Sequence, residues 1–274
     1  TKGYHNLHFI LENPLNHRGP HPFDTLRMTG GKADHYVNSL TEGFMLLSKV
    51  GIKIGSVVCD GCPAQKKAFD YDWTDIEDID KIIFVPCLCH RIDNAYKSVA
   101  QKNSDFQTIL SKMHDILQIC IENSDKIGAI CPNHCDSRWI YDLEIVNFLL
   151  KHSQLIEEKY YPEFPEVEFN HLRKCLVIYR TLISFFETPK TQFQSAFRLL
   201  EKGINALFEL ARTEKNPYAS CMAYSLQNYT LFSSDGGLWC LGYCFTVKGR
   251  KDLRNRNIKQ CNPFPTGYLN YFDF

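Results

Sequence analysis

The chain has 274 residues, and its 31 Lys and Arg balance its 31 Asp and Glu, so the formal net charge at pH 7 is zero. This balance argues against a protein that holds polyanions through its overall charge, although a local basic patch remains compatible with it. Hydrophobic residues make up 44% and aromatic residues 13% of the sequence, which excludes global disorder. No apolar run approaches the roughly 18 residues that a membrane-spanning helix needs.

The cysteines point to a reducing environment. The sequence has 12 of them, a density below that of disulfide scaffolds. Several stand in apolar stretches, such as Cys120 in "LQICIE" and Cys175 in "RKCLVIY", where free cysteine behaves as a small hydrophobe. The start, "TKGYHNLHF", lacks an initiating Met and an export signal. We therefore expect reduced thiols, an intracellular location and a sequence that starts inside a domain.

The first hundred residues alternate between strand and helix patterns. Residues 4–11 place apolar side chains at every second position, as in a half-buried strand, and "FDTLRM" predicts a second strand. A helix with Gly51 as its C-cap follows, because apolar residues then recur at helical spacing: Val37, Leu40, Phe44, Leu47 and Val50. The short apolar runs "IKIGSVVC" and "KIIFVPC" are typical of parallel, doubly covered strands. These patterns predict an α/β core with a mixed sheet over residues 1–100.

In the remaining sequence the apolar residues recur with the period of α-helices. From residue 101 to residue 274 we predict a mainly helical region, in which apolar stripes repeat at the spacing of α-helices. The clearest stripe contains Phe106, Ile109, Leu110, Met113, Ile116, Leu117 and Cys120.

Asp60 is the first candidate for chemistry. It comes at the carboxyl end of a predicted strand, where ligands and metals bind in open α/β sheets. A carboxylate at this edge suits a divalent cation. The alternative is a structural aspartate that opens the turn before a helix, in "DGCPAQKKAF".

A group of thiols and one imidazole in "VPCLCHRIDNAY" and upstream of it has three interpretations. Thiolates and imidazole at short spacing can hold zinc. Cys87 and His90, three residues apart at a helix start, would share a face and could form a nucleophilic pair. Buried thiols without chemistry are the third interpretation. The residues concerned are Cys59, Cys62, Cys87, Cys89 and His90, with "CPNHC" at 131–135 as a source of further zinc ligands.

Arg138 and Trp139 form the third candidate site, in "CPNHCDSRWIYDLEIV". A guanidinium beside an exposed indole suits nucleic acid, because the first binds phosphate and the second stacks on an unpaired base. A Trp packed between helix and sheet beside a solvated Arg is the alternative.

Three stretches in this order resemble the core of hAT-family (hobo/Activator) DNA transposases, which have a ribonuclease H-like fold. They are "GIKIGSVVCDGCPAQKKAF", "IIFVPCLCHRIDNAYKSV" and "CPNHCDSRWIYDLEIVNFLLKH". A later stretch, "DGGLWCLGYCFTVKGRKDL", is similar to the end of that family's helical insertion, so the resemblance covers about residues 4–255.

The resemblance implies roles for the candidate residues. Asp60 would be a catalytic carboxylate that binds Mg²⁺ or Mn²⁺, Cys87 and His90 would brace the active site with Cys89 as filler, and Trp139 beside Arg138 would stack on DNA. The implied partners are transposon-end DNA and a second copy of the chain, and the implied location is the nucleus. Residues 1–100 would be the ribonuclease H-like core without its first strand, and 101–274 the end of that core plus the insertion.

The pattern departs from the family in its catalytic carboxylates. The family's first aspartate would lie before Thr1 and its last glutamate after Phe274. We therefore expect one metal ligand of three, and an isolated chain that does not cleave DNA. A domesticated DNA-binding or protein-interaction module and an unrelated zinc-stabilised α/β domain are the alternatives.

Overall fold

The computed structural model describes residues 5–11, 21–54, 56–60, 62–69, 83–132, 140–187 and 193–231. The chain divides into two compact units, Thr1–His90 and Arg91–Phe274. The division falls ten residues before the boundary expected from the sequence. In the described part, strands occur in the first unit and the second is helical, so the chain is mostly helical overall. No described helix combines the length and the apolar character that crossing a membrane requires.

The first unit contains two strand pairs. Strand β1 (His5–Leu11) runs antiparallel to β2 (His21–Met28), with Leu7 opposite Leu26. Strand β3 (Ser56–Cys59) runs parallel to β4 (Ile83–Pro86), with Val58 opposite Val85. Helix α1 (Ala33–Lys49) precedes β3, and α2 (Pro63–Phe69) lies between β3 and β4 in the chain.

The expected single mixed sheet is not formed among the described residues, where the two pairs are separate ladders. Both pairs nevertheless pack on α1. Its buried residues Val37, Leu40 and Phe44 form one cluster with Ala68 of α2, and side chains from both pairs pack against this cluster: Leu7, Phe9 and Val57. A shared helix, and not a continuous hydrogen-bond ladder, therefore holds the strands together.

Helix α1 ends where the sequence predicts. Gly51 adopts a φ of 74°, a left-handed backbone conformation that is least strained in glycine, and its N–H donates to Ser48 O at 2.9 Å. Val50, expected on the apolar stripe, is 62% exposed because the helix stops at Lys49.

Eight helices account for the second unit and its start, over the residues that are described. They are α3 (Leu88–Lys102), α4 (Ser104–Glu122), α5 (Ser124–Ile127), α6 (Asp142–Lys151), α7 (Ser153–Lys159), α8 (Glu166–Phe186), α9 (Phe193–Thr213) and α10 (Ala219–Thr230). The predicted stripe of α4 is buried, including Phe106, Met113 and Cys120. Hydrogen bonds join helices that are far apart in the sequence. Tyr179 Oη of α8 donates to Met222 O of α10 at 2.7 Å, and Ser225 Oγ of α10 donates to Ala95 O of α3 at 2.7 Å.

A buried carboxylate links three of these helices. Asp142 opens α6, and its Oδ2 accepts a hydrogen bond from Tyr96 Oη of α3. Its Oδ1 lies 3.2 Å from His114 Nε2 of α4. Burial, followed by the charge of Asp142, holds the pKa of Tyr96 well above its usual range, so the phenol remains a donor.

Gly43 sets the distance between β1 and α1, which gives a prediction about stability. A Cβ at this position would lie 2.3 Å from Phe9 Cζ, so the aromatic ring rests on the bare helix backbone. Gly43→Ala should therefore destabilise the protein by about 1–3 kcal/mol through overpacking, although alanine in an open helix stabilises by up to about 1 kcal/mol. Thermal and urea unfolding followed by circular dichroism measure the change.

The matched control is the same substitution in a Phe9→Val background. There the smaller side chain leaves room for the methyl group, so Gly43→Ala should be neutral or stabilising. An increase in stability of Gly43→Ala in the wild-type background would contradict the close contact.

Candidate functional site

The parallel pairing of β3 and β4 brings the predicted site residues to one edge. Cys59 is paired with Pro86, and the Cys87 N–H donates to Cys59 O at 2.7 Å. Asp60 follows Cys59 at the end of β3, and Cys87 follows Pro86 at the end of β4. Because paired residues of a parallel ladder project to the same face, Asp60 and Cys87 leave the sheet at the same end and on the same side, as Val58 and Val85 do before them.

Asp60 is exposed, and one oxygen of its carboxylate stabilises the turn that follows β3. Oδ1 accepts a hydrogen bond from the Cys62 N–H at 2.9 Å, directly before Pro63 opens α2. This is the turn-forming contact typical of aspartate, and proline is favoured at the first helical position. The two interpretations of Asp60 are therefore compatible, since the turn fixes the carboxylate at the carboxyl edge of β3.

Tyr36 also belongs to this edge, and sequence reasoning missed it. Its hydroxyl, on α1, lies close enough to the side chains of Cys62 and Gln65 for both to influence its pKa. Burial raises the pKa of Tyr36, and the nearby charges of Cys62 and Asp60 act in the same direction. A tyrosine next to the buried position Val37 gave no sequence signal that separates it from a residue at the edge of the core.

Cys87 has the most strongly shifted pKa of the residues at this edge. Its neighbours lower the pKa of the partly exposed thiol to about 4, chiefly through a hydrogen bond from the Cys89 thiol. Burial opposes this effect, whereas hydrogen bonds from His90 and the charge of its imidazole add to it. Cys87 directly precedes α3, where helix N-H groups also favour a thiolate.

The structure thus brings Cys87 and His90 together, as expected for residues three apart at a helix start. Cys89 is 6% exposed, which agrees with its interpretation as filler, but that interpretation is incomplete because its thiol also stabilises the Cys87 thiolate. The arrangement gives Cys87 an acidic thiol with two neighbouring donors, at the edge to which the strand pairing also brings Asp60.

The described residues show no metal-binding group at the candidate edge. Among the described residues no group of three or more His, Cys, Asp or Glu is arranged to hold a metal ion. Cys59, Cys62, Cys87, Cys89, His90 and Cys131 therefore do not supply a zinc site from this part of the chain. For Mg²⁺ or Mn²⁺, Asp60 offers one carboxylate, of which one oxygen already accepts a backbone hydrogen bond.

Arg138 and Trp139 lie outside the described residues, as do positions 133–135 of the "CPNHC" motif. The next residue, Ile140, is buried and has a φ of 46°. This conformation is unusual for a β-branched side chain, and it persists only where surrounding packing holds it.

Comparison with known proteins gives no family assignment: no family model, curated protein or solved structure matches this chain.

The lowered pKa predicts a distinctive alkylation profile. Cys87 is ionised above a pKa of about 4, so its rate with iodoacetamide should change little between about pH 5.5 and pH 8. Burial raises the pKa of Cys131, and its rate should rise about tenfold per pH unit over the same range. Peptide mass spectrometry measures both sites in one sample.

Two substitutions identify the source of the shift. Cys89→Ala removes the thiol donor and should move the onset of Cys87 alkylation to higher pH, whereas Cys89→Ser retains a donor and should move it less. A Cys87 profile that parallels that of Cys131 in the wild-type protein would refute the assignment.

Proposed function

We propose that this chain is a DNA-binding protein of the hAT transposase type, with a first unit derived from a ribonuclease H-like core. One observation supports the proposal: β3, α2, β4 and α3 follow in order, and the parallel pairing brings Asp60 and Cys87 to the same edge, where α3 with His90 begins. This is the arrangement that the three resembling sequence stretches require. The helical second unit supports the proposal more weakly, because helical arrays serve many functions.

In this proposal each residue of the edge has a role that its contacts allow. Asp60, held by the turn to Cys62, presents a carboxylate at the strand end. Cys87 and His90 would brace the start of α3 at the same edge. In a complete transposase site Mg²⁺ or Mn²⁺ would activate the attacking water or 3′-hydroxyl. Two cations on one phosphodiester need more than one carboxylate, and among the described residues the strand pairing places the carboxylate of Asp60 alone at this edge. The activity that we propose is therefore DNA binding.

The proposed partner is DNA with exposed or unpaired bases, such as a transposon end, and the proposed location is the nucleus. Arg138 would bind phosphate and Trp139 would stack on a base. A second copy of the chain remains a proposed partner by resemblance to the family. The zero net charge requires that any such binding rely on local contacts, and not on the field of the whole chain.

DNA binding should depend on salt and on the Arg–Trp pair. In fluorescence anisotropy with a labelled hairpin, affinity should fall steeply between about 50 and 200 mM salt. Arg138→Ala should reduce the slope of log K against log salt by about 1. Trp139→Ala should weaken binding by about 1–3 kcal/mol through lost stacking.

Two control variants make this test specific. Trp139→Phe keeps an aromatic face and should retain most of the affinity. Lys202→Ala removes one charge from an exposed position on α9 and should leave the salt slope unchanged. Wild-type protein that shows no salt-dependent binding would contradict the proposal and favour a protein-interaction module.

A plasmid-nicking assay tests the expectation that this chain does not cleave DNA. Incubated with supercoiled plasmid and Mg²⁺ or Mn²⁺, the chain should nick no more than Asp60→Asn, because that variant keeps the turn acceptor and loses only the charge. Metal-dependent nicking that Asp60→Asn abolishes would show that the chain holds a working centre, and would overturn the proposal of binding alone.

A further inference from the structure

We draw no further inference here: the strongest candidate, the cavity of about 310 Å³ on α4 that is lined by His114, Leu117, Gln118 and Ile121, supports no proposal, because nothing in the described part of the chain shows what occupies it.

Discussion

The hydrogen bond from the Cys87 N–H to Cys59 O, 2.7 Å long, is the contact on which the candidate site depends. It extends the parallel ladder one step beyond Pro86 and so fixes where two unrelated stretches of chain meet. Asp60 stands on one side of this bond, and the thiols and imidazole at the start of α3 stand on the other. Without the pairing of β3 with β4, of which this bond is the last, the turn at Asp60 and the helix start at Leu88 would be independent local structures. The register of β3 against β4 thus determines which side chains meet at the candidate site.

Local patterns predicted most of the elements because they reflect local physics. The alternation around Phe9, the helical stripe of α1 and the stop at Gly51 depend on side-chain periodicity and on backbone freedom, which neighbouring residues fix. The connection between the two strand pairs is different. Whether β1 or β2 bonds to β3 or β4 is decided by long-range packing, here through Phe44 and its neighbours on α1. The sequence therefore predicted one mixed sheet, whereas the described strands form two pairs.

The site shows the same division between local and distant information. Strand-end placement identified Asp60, and spacing at a helix start identified Cys87 with His90, because both follow from position along the chain. Tyr36 was missed because it comes from a helix that precedes β3 and reaches Cys62 only through the packing of α1 on α2. The second role of Cys89 was missed because the resemblance assigns roles to Cys87 and His90 and leaves the residue between them as filler. Cys89 is buried, but burial does not exclude a hydrogen bond between thiols.

Asp142 has a consequence for the helical unit that reaches beyond its own contacts. Both carboxylate oxygens are committed, one to Tyr96 on α3 and the other to His114 on α4. A slide of α6 by a single residue would advance it by about 1.5 Å and turn it by about 100°, which would substitute Tyr141 or Leu143 for the carboxylate. The phenol would then lose its acceptor in an apolar setting, at a cost of about 1–3 kcal/mol. Apolar side chains alone would allow α6 several neighbouring positions along and around its axis. Asp142 therefore selects the one position in which α6 can pack with α3 and α4.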